Sequence, residues 1–207
     1  MRIGIIGTGN MAQTLGAAWA RAGHDLAIAG RSPEKARALA DTLADAPGAA
    51  VAVPVEEVAV GRDVVLVVVP WDAAEAMVAQ ARIPAGTAVI DATNAVAHGI
   101  GTLLIEPGES MAGRIAQAAP GAHVVKAFHT FPSYQWTQPP TGRAPIVVMS
   151  GDDPGALKAV GELARDLGGD PVVLGGSDRA RQLEEVAGFI IELAVNGHDP
   201  SAAVPAA

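Results

Sequence analysis

The chain has 207 residues, 50% of them hydrophobic and 17% charged, with a formal net charge of −8 and no cysteine. That length supports one domain, or one with a small appendage, around a real hydrophobic core. The acidic balance argues against nucleic acid as a partner, and the missing thiols exclude disulfides, zinc-thiolate sites and thiol nucleophiles.

The longest apolar run, Val64 to Pro70, falls far short of the roughly 18 to 20 residues that span a bilayer. The first residues read as a strand rather than a charged leader followed by an apolar segment. A soluble, cytoplasmic protein without a membrane partner is therefore expected. The five histidines, at 24, 98, 123, 129 and 198, show no ligand spacing, so no metal site is expected.

In chain order, short β-branched runs alternate with longer Ala-rich segments. Strands are predicted at Arg2 to Ile6, Leu26 to Ala29, Ala50 to Val53, Val64 to Val69, Ala88 to Asp91, His123 to Ala127, Pro145 to Ser150 and Asp170 to Leu174. The first helix, Met11 to Ala22, sets Met11, Leu15, Ala18 and Trp19 on one stripe. The second starts at Ser32 as cap with Pro33 in the first helical position. A third begins at Asp72, with Glu75 three residues on completing a capping box. Further helices fall at Ser110 to Ala118, Pro154 to Leu167 and Asp178 to Ala194.

This alternation predicts an α/β protein, a doubly wound, mainly parallel Rossmann sheet with a small C-terminal α/β extension. The expected division is a nucleotide-binding domain over 1–144, a small C-terminal portion over 145–196 and a flexible tail over 197–207. Residues 93 to 109 and 130 to 144 lack periodicity, and loops of that length are often functional.

The strongest chemical signal is Gly7-Thr8-Gly9-Asn10-Met11-Ala12, which follows the first strand and opens the first helix. Its glycines permit a tight turn and close backbone approach to a pyrophosphate at the positive end of the helix. The competing reading is a glycine-rich turn without ligand. Past the second strand, Gly30-Arg31-Ser32-Pro33-Glu34-Lys35 lacks the acid at the strand tip that binds the ribose of NAD. Arg31 and Lys35 can pair with a 2′-phosphate and Ser32 can add a hydrogen bond, so the segment reads as NADP-binding; a solvated basic helix start is the alternative.

Three more loops at carboxyl ends of strands should line the same crevice: Val69-Pro70-Trp71, Ala92-Thr93-Asn94 and Phe128-His129-Thr130. His129 is as consistent with a structural histidine as with a ligand contact. Lys126 is either an inward functional amine or an edge residue. Tyr134 has Gln138 where a short-chain dehydrogenase needs lysine, and Gly108-Glu109-Ser110-Met111-Ala112 lacks the closing glycine of a nucleophile elbow. No carboxylate pair is arranged for acid–base work. Hydride transfer between two bound redox molecules needs none, because the cofactor supplies the chemistry and the protein supplies orientation.

Gly7 to Met11, the basic stretch at 30 to 35, Val69-Pro70-Trp71 and Val125-Lys126-Ala127-Phe128-His129-Thr130 together resemble the coenzyme F420-dependent NADP oxidoreductases. The likeness runs to Arg181-Gln182-Leu183-Glu184 and so covers nearly the whole chain. It implies a hydride exchange between NADP(H) and F420 as co-substrate, with the deazaflavin face to face with the nicotinamide. It implies phosphate contacts at Thr8, Gly9, Asn10 and Met11, a 2′-phosphate pair at Arg31 and Lys35, and His129 against the deazaflavin, with Asn94 and Trp71 positioning the rings. Gly30 stands where the family usually has serine.

The Asn-Met-Ala of the glycine loop also resembles pyrroline-5-carboxylate reductase. The residues after 145 leave too little room for the helical domain of that enzyme. Two other functions stay open: an NADPH-dependent reductase of an imine, carbonyl or flavin, and a non-enzymatic NADPH-sensing module. A homodimer is expected, the final helix carrying Leu183, Val186, Phe189, Ile190 and Leu193.

The chain has only three Trp, three Phe and one Tyr. Phe128, Phe131, Tyr134 and Trp136 crowd one loop and Trp71 opens another. Ring surfaces concentrated beside a ring-binding cleft are expected from that placement.

Overall fold

The computed structural model describes residues 1–97, 100–137 and 144–203. His98 and Gln138 lie outside the described residues, as does the end of the tail. Eight strands form one sheet: β1 (Arg2–Ile6), β2 (Asp25–Ala29), β3 (Ala50–Ala52), β4 (Val64–Val67), β5 (Ala88–Asp91), β6 (His123–Lys126), β7 (Ile146–Ser150) and β8 (Asp170–Gly175). Their order is β3-β2-β1-β4-β5-β6-β7-β8. All neighbours are parallel except β6 and β7, which meet antiparallel at Lys126 and Ser150. The C-terminal strands therefore extend the same sheet in the reversed direction. The order changes sense between β1 and β4, where a doubly wound sheet opens its crevice at the carboxyl ends of the strands.

The six helices are α1 (Asn10–Arg21), α2 (Pro33–Asp41), α3 (Trp71–Ala81), α4 (Met111–Ala118), α5 (Pro154–Asp166) and α6 (Ala180–Val195). Alternate residues of the central strands serve opposite faces. Ile3, Ile5, Leu66 and Ile90 pack with Leu15, Trp19, Leu39, Val160 and Leu163 of α1, α2 and α5. Val65, Val67 and Val89 pack with Met77 and Val78 of α3 and Met111 and Ile115 of α4. A sheet covered on both faces requires the near-continuous apolar strands that the sequence has. Trp19 adds a directional tie, its indole N–H donating to the Leu163 carbonyl at 3.0 Å. Among the described residues no helix is long and apolar enough to cross a membrane.

Two expectations change. The third helix starts at Trp71 with Pro70 as its cap residue, so Asp72 lies in the first turn and does not cap it. Proline fixes φ near the helical entrance and its missing N–H costs nothing there.

The aromatic cluster is also different from expectation. Trp19, Phe128, Trp136 and Phe131 form a chain of edge-to-face contacts with centroids 6.0, 5.9 and 5.4 Å apart. Phe128 and Trp136 are core residues on the α1–α5 face, Trp71 packs at the margin of the opposite core, and Tyr134 is exposed. These rings hold the loop after β6 to the core and do not form a common ligand-facing surface. Trp and Phe contribute large buried areas per residue, which fits a core otherwise built from Val, Ala, Leu and Ile.

Candidate functional site

The glycine loop combines two different demands. Gly7 has φ of +141°, and a Cβ there would stand 2.5 Å from the Val68 carbonyl oxygen, so the approach of β1 to β4 itself requires glycine. Gly9, the N-cap of α1, has an ordinary φ of −83°, and a Cβ there would meet no protein atom within 4 Å. Nothing inside the protein demands glycine at that position. The open space beside it leaves room for a group to approach the backbone closely. No side chain caps α1 and its first turn carries no acid, so its leading N–H groups and dipole face that space. Asn10 is exposed, Met11 half-buried and Ala12 buried against the core. These features fit the pyrophosphate of a dinucleotide.

Across the crevice lies the start of α2. A cavity of about 450 Å³ is bounded by Thr8 and Gly9 on one side, Arg31, Ser32 and Lys35 on another, and Val69 and Pro70 on a third. A Cβ on Gly30 would come to 3.1 Å from the Thr8 methyl, a tight contact that a small shift of Thr8 would have to relieve. Arg31 and Lys35 are exposed and neither pairs with a carboxylate among the described residues. Cations at a helix start without a counterion are unfavourable until an anion arrives.

Ser32 caps α2, accepting the Lys35 N–H at 3.2 Å, but its hydroxyl donates to Glu34 at 2.8 Å. Its own backbone N–H and the Ser32 hydroxyl hold the Glu34 carboxyl below the usual range. Ser32 is thus already engaged as a donor, which the sequence did not reveal. A second cavity of about 420 Å³ shares Gly30 and Arg31 and continues between Arg37, Val53, Pro54 and Met77. Apolar Val53, Pro54, Val55 and Met77 beside Arg31 and Arg37 suit a nucleobase. Arg37 had no signal in the sequence beyond lying one turn past Pro33.

At the other end of the crevice, Val69 and Trp71 are half-buried and Pro70 is exposed. Asn94, after β5, donates through Nδ2 to the His129 carbonyl oxygen at 2.7 Å, which joins the loops after β5 and β6. Its Oδ1 is buried with no partner among the described residues. Phe128 takes a left-handed backbone, φ +62°, rare for an aromatic residue. That turn sends the next side chain beneath α6.

The His129 ring is 4% exposed, with Nε2 donating to the Leu183 carbonyl at 3.1 Å. Burial, followed by the nearby Lys126 cation, pushes its pKa down to about 3. The residues alone leave this ring open between a structural and a ligand-binding role, and the family resemblance implies contact with the deazaflavin. In the structure the ring is enclosed, its low pKa keeps it neutral, and it does not line the cavity between the glycine loop and α2.

Residues 2–95 match the family model described as NADP oxidoreductase, coenzyme F420-dependent. The chain is 26% identical to a candidate F420-dependent NADP reductase from Arthrobacter sp. FB24, each covered over 96% of its length, with a TM-score of 0.78. A hypothetical protein from Sinorhizobium meliloti is 28% identical over 87% of both chains, with a TM-score of 0.75. The rat metalloreductase STEAP3 is 26% identical over 89% of this chain, which spans 36% of that relative's length. A reductive aminase from Aspergillus terreus shares the fold, with a TM-score of 0.63 at 19% identity.

Proposed function

We propose that the protein transfers a hydride between NADP(H) and coenzyme F420. The observation that carries the nucleotide assignment is the pair Arg31 and Lys35, exposed and without carboxylate partners among the described residues, facing a glycine loop with open space beside Gly9. The F420 assignment rests on the family match and on the end-to-end likeness to the Arthrobacter protein.

Bound NADPH supplies the hydride, and F420 takes it up together with a proton. The chain's own residues then bind and orient. Gly9 and the α1 N-terminus hold the pyrophosphate, and Arg31 and Lys35 hold the 2′-phosphate in bidentate and point-charge fashion. Val69 and Pro70 border the nicotinamide, with Trp71 starting α3 beside them. Asn94 ties the loop after β5 to the His129 loop through its amide, and the joined loops set the acceptor's position through their backbone. With the His129 ring neutral and enclosed, the proton comes from solvent. Both ligands are anions, so this cationic cluster must locally outweigh the global charge.

The exposed apolar residues of α6, Val186 and Phe189, together with the half-buried Ile190 and Leu193, are proposed to join two copies.

The test is spectrophotometric turnover with NADPH against F420, flavins, imines and carbonyl compounds. F420 reduction supports the proposal. Turnover with another acceptor alone replaces it, and tight NADPH binding without any turnover makes the protein a sensor.

A further inference from the structure

Beneath the acceptor end of the crevice lies an ionic cluster that the nucleotide site does not use. Lys126, at the end of β6, is completely buried. Its Nζ donates to Asp91 Oδ2 at 2.8 Å and to the Thr93 carbonyl at 2.6 Å, and lies 3.2 Å from Glu184 Oε1. Three donors meet three acceptors. Asp91 uses its other oxygen to accept both the N–H and the hydroxyl of Thr93, at 2.8 and 2.7 Å. Glu184, equally buried on α6, accepts the N–H groups of Met111 and Ala112 at the start of α4, at 3.0 and 3.3 Å.

Two carboxylates thus face one ammonium, and the positive end of α4 offsets the remaining charge. Such a cluster contributes little net stability compared with apolar packing, yet removing one partner is costly. Its position suggests a different use. Thr93 immediately precedes Asn94, and Lys126 is three residues before His129.

α6 engages the same region along several of its turns. Arg181 donates to the Glu106 and Glu109 carbonyls at 2.7 and 2.8 Å, Leu183 receives the His129 ring, and Glu184 receives Lys126. Gly188 lies so close to Gly101 that neither position has room for a side chain. The polar ties of the inner face of α6 thus end on β6 at Lys126, on the His129 ring, on the segment before α4 and on the first turn of α4. None ends on the glycine loop or on the start of α2.

We propose that Glu184 and Lys126 are positioning residues for the acceptor: their buried ion pair lets α6 fix the loops after β5 and β6, and so sets where the acceptor lies over the nicotinamide. This rests on the hydride-transfer reading of the site, while the geometric part stands apart from the acceptor's identity. The distinguishing property is selectivity within the molecule. A merely structural pair disturbs both halves of the crevice alike, whereas a positioning pair disturbs the acceptor half alone.

The test compares Glu184→Gln, Glu184→Asp and the exposed control Glu162→Gln with the unmodified chain. Two measurements are made: amide hydrogen exchange without ligands, and NADPH affinity alongside kcat and KM for F420. Glu184→Gln is expected to speed exchange in 92–97 and 127–132 while 2–12 and 29–36 stay unchanged. It should lower kcat/KM for F420 by on the order of tenfold to a hundredfold, the scale of a small misplacement, with NADPH affinity unaltered. Glu184→Asp, which keeps the charge, should show the same pattern more weakly and serves if the Gln variant does not fold. Glu162→Gln should change nothing. Exchange that rises evenly, or not at all, in the acceptor loops overturns the proposal, as does a loss of NADPH affinity in step with the loss of turnover. If the unmodified chain does not reduce F420, the acceptor assignment fails, and the exchange pattern still decides the role of the pair.

Discussion

Asn94 and His129 are joined through a side-chain amide and a backbone carbonyl 2.7 Å apart, and this bond closes the loops after β5 and β6 into one unit. Asn94→Ala removes the tie and leaves the carbonyl without it. The expected cost is about 1 kcal/mol, seen as a drop in Tm of about 2–4 °C for a chain of this size. The acceptor's KM should rise while NADPH affinity is kept. Isothermal titration with NADPH and steady-state kinetics check the two parts.

Arg31→Ala should weaken NADPH far more than NADH, because only the 2′-phosphate distinguishes them. Equal losses for the two nucleotides contradict the 2′-phosphate assignment. Glu34 shows the opposite sign. Its carboxylate shares the helix start with Lys35 and draws the Ser32 hydroxyl away from the phosphate. Glu34→Gln should therefore tighten NADPH binding and leave NADH unchanged, as read by fluorescence titration.

His129 predicts a pH dependence of stability. Its folded pKa is lowered to about 3, so between that value and its usual 6.5 the unfolded chain binds the extra proton. Stability is then fully present above about pH 6.5 and declines as the pH falls, by at most about 1.4 kcal/mol per unit. His129→Gln, which keeps a donor for the Leu183 carbonyl, should flatten the slope of unfolding free energy between pH 6.5 and 4.5. An unchanged slope contradicts the enclosed neutral ring.

Much of the nucleotide half was legible because its determinants are local. The strand, the two glycines and the helix that follows them lie within one stretch, as do the Ser32 cap and Pro33. The third helix start was misread because Asp72 and Glu75 present a capping pattern, while Pro70 one step earlier dictates the actual entrance. The aromatic loop was misread for a related reason. Composition shows where rings are concentrated, but not which way they face, and here they turn inward onto Trp19. The acceptor half was least legible. Glu184 reaches Met111 across 73 residues of sequence, and no local pattern announces such a partner. Lys126 looked ambiguous between a functional amine and an edge residue, and only its partners Asp91 and Glu184 show it to be a buried counterion.

Lys126→Met removes the only cation of that cluster and leaves two buried carboxylates. A loss of about 3–5 kcal/mol is expected from breaking such a pair on one side. Chemical denaturation measures it. A loss below about 1 kcal/mol would show that the carboxylates have another source of compensation.

For the proposed pairing of two copies, Phe189→Asp places a charge on the exposed apolar face of α6. Light scattering should find the unmodified chain as a dimer and the variant as a monomer. A monomeric unmodified chain at working concentration would refute the pairing directly.

The most direct measurement is rapid mixing of the protein and F420 with NADPH deuterated at the transferring position of the nicotinamide. The account predicts loss of the oxidised deazaflavin absorbance in step with NADPH oxidation, with the deuterium recovered on the reduced F420. Unchanged F420 absorbance, with the nucleotide bound and the protein folded, would contradict it.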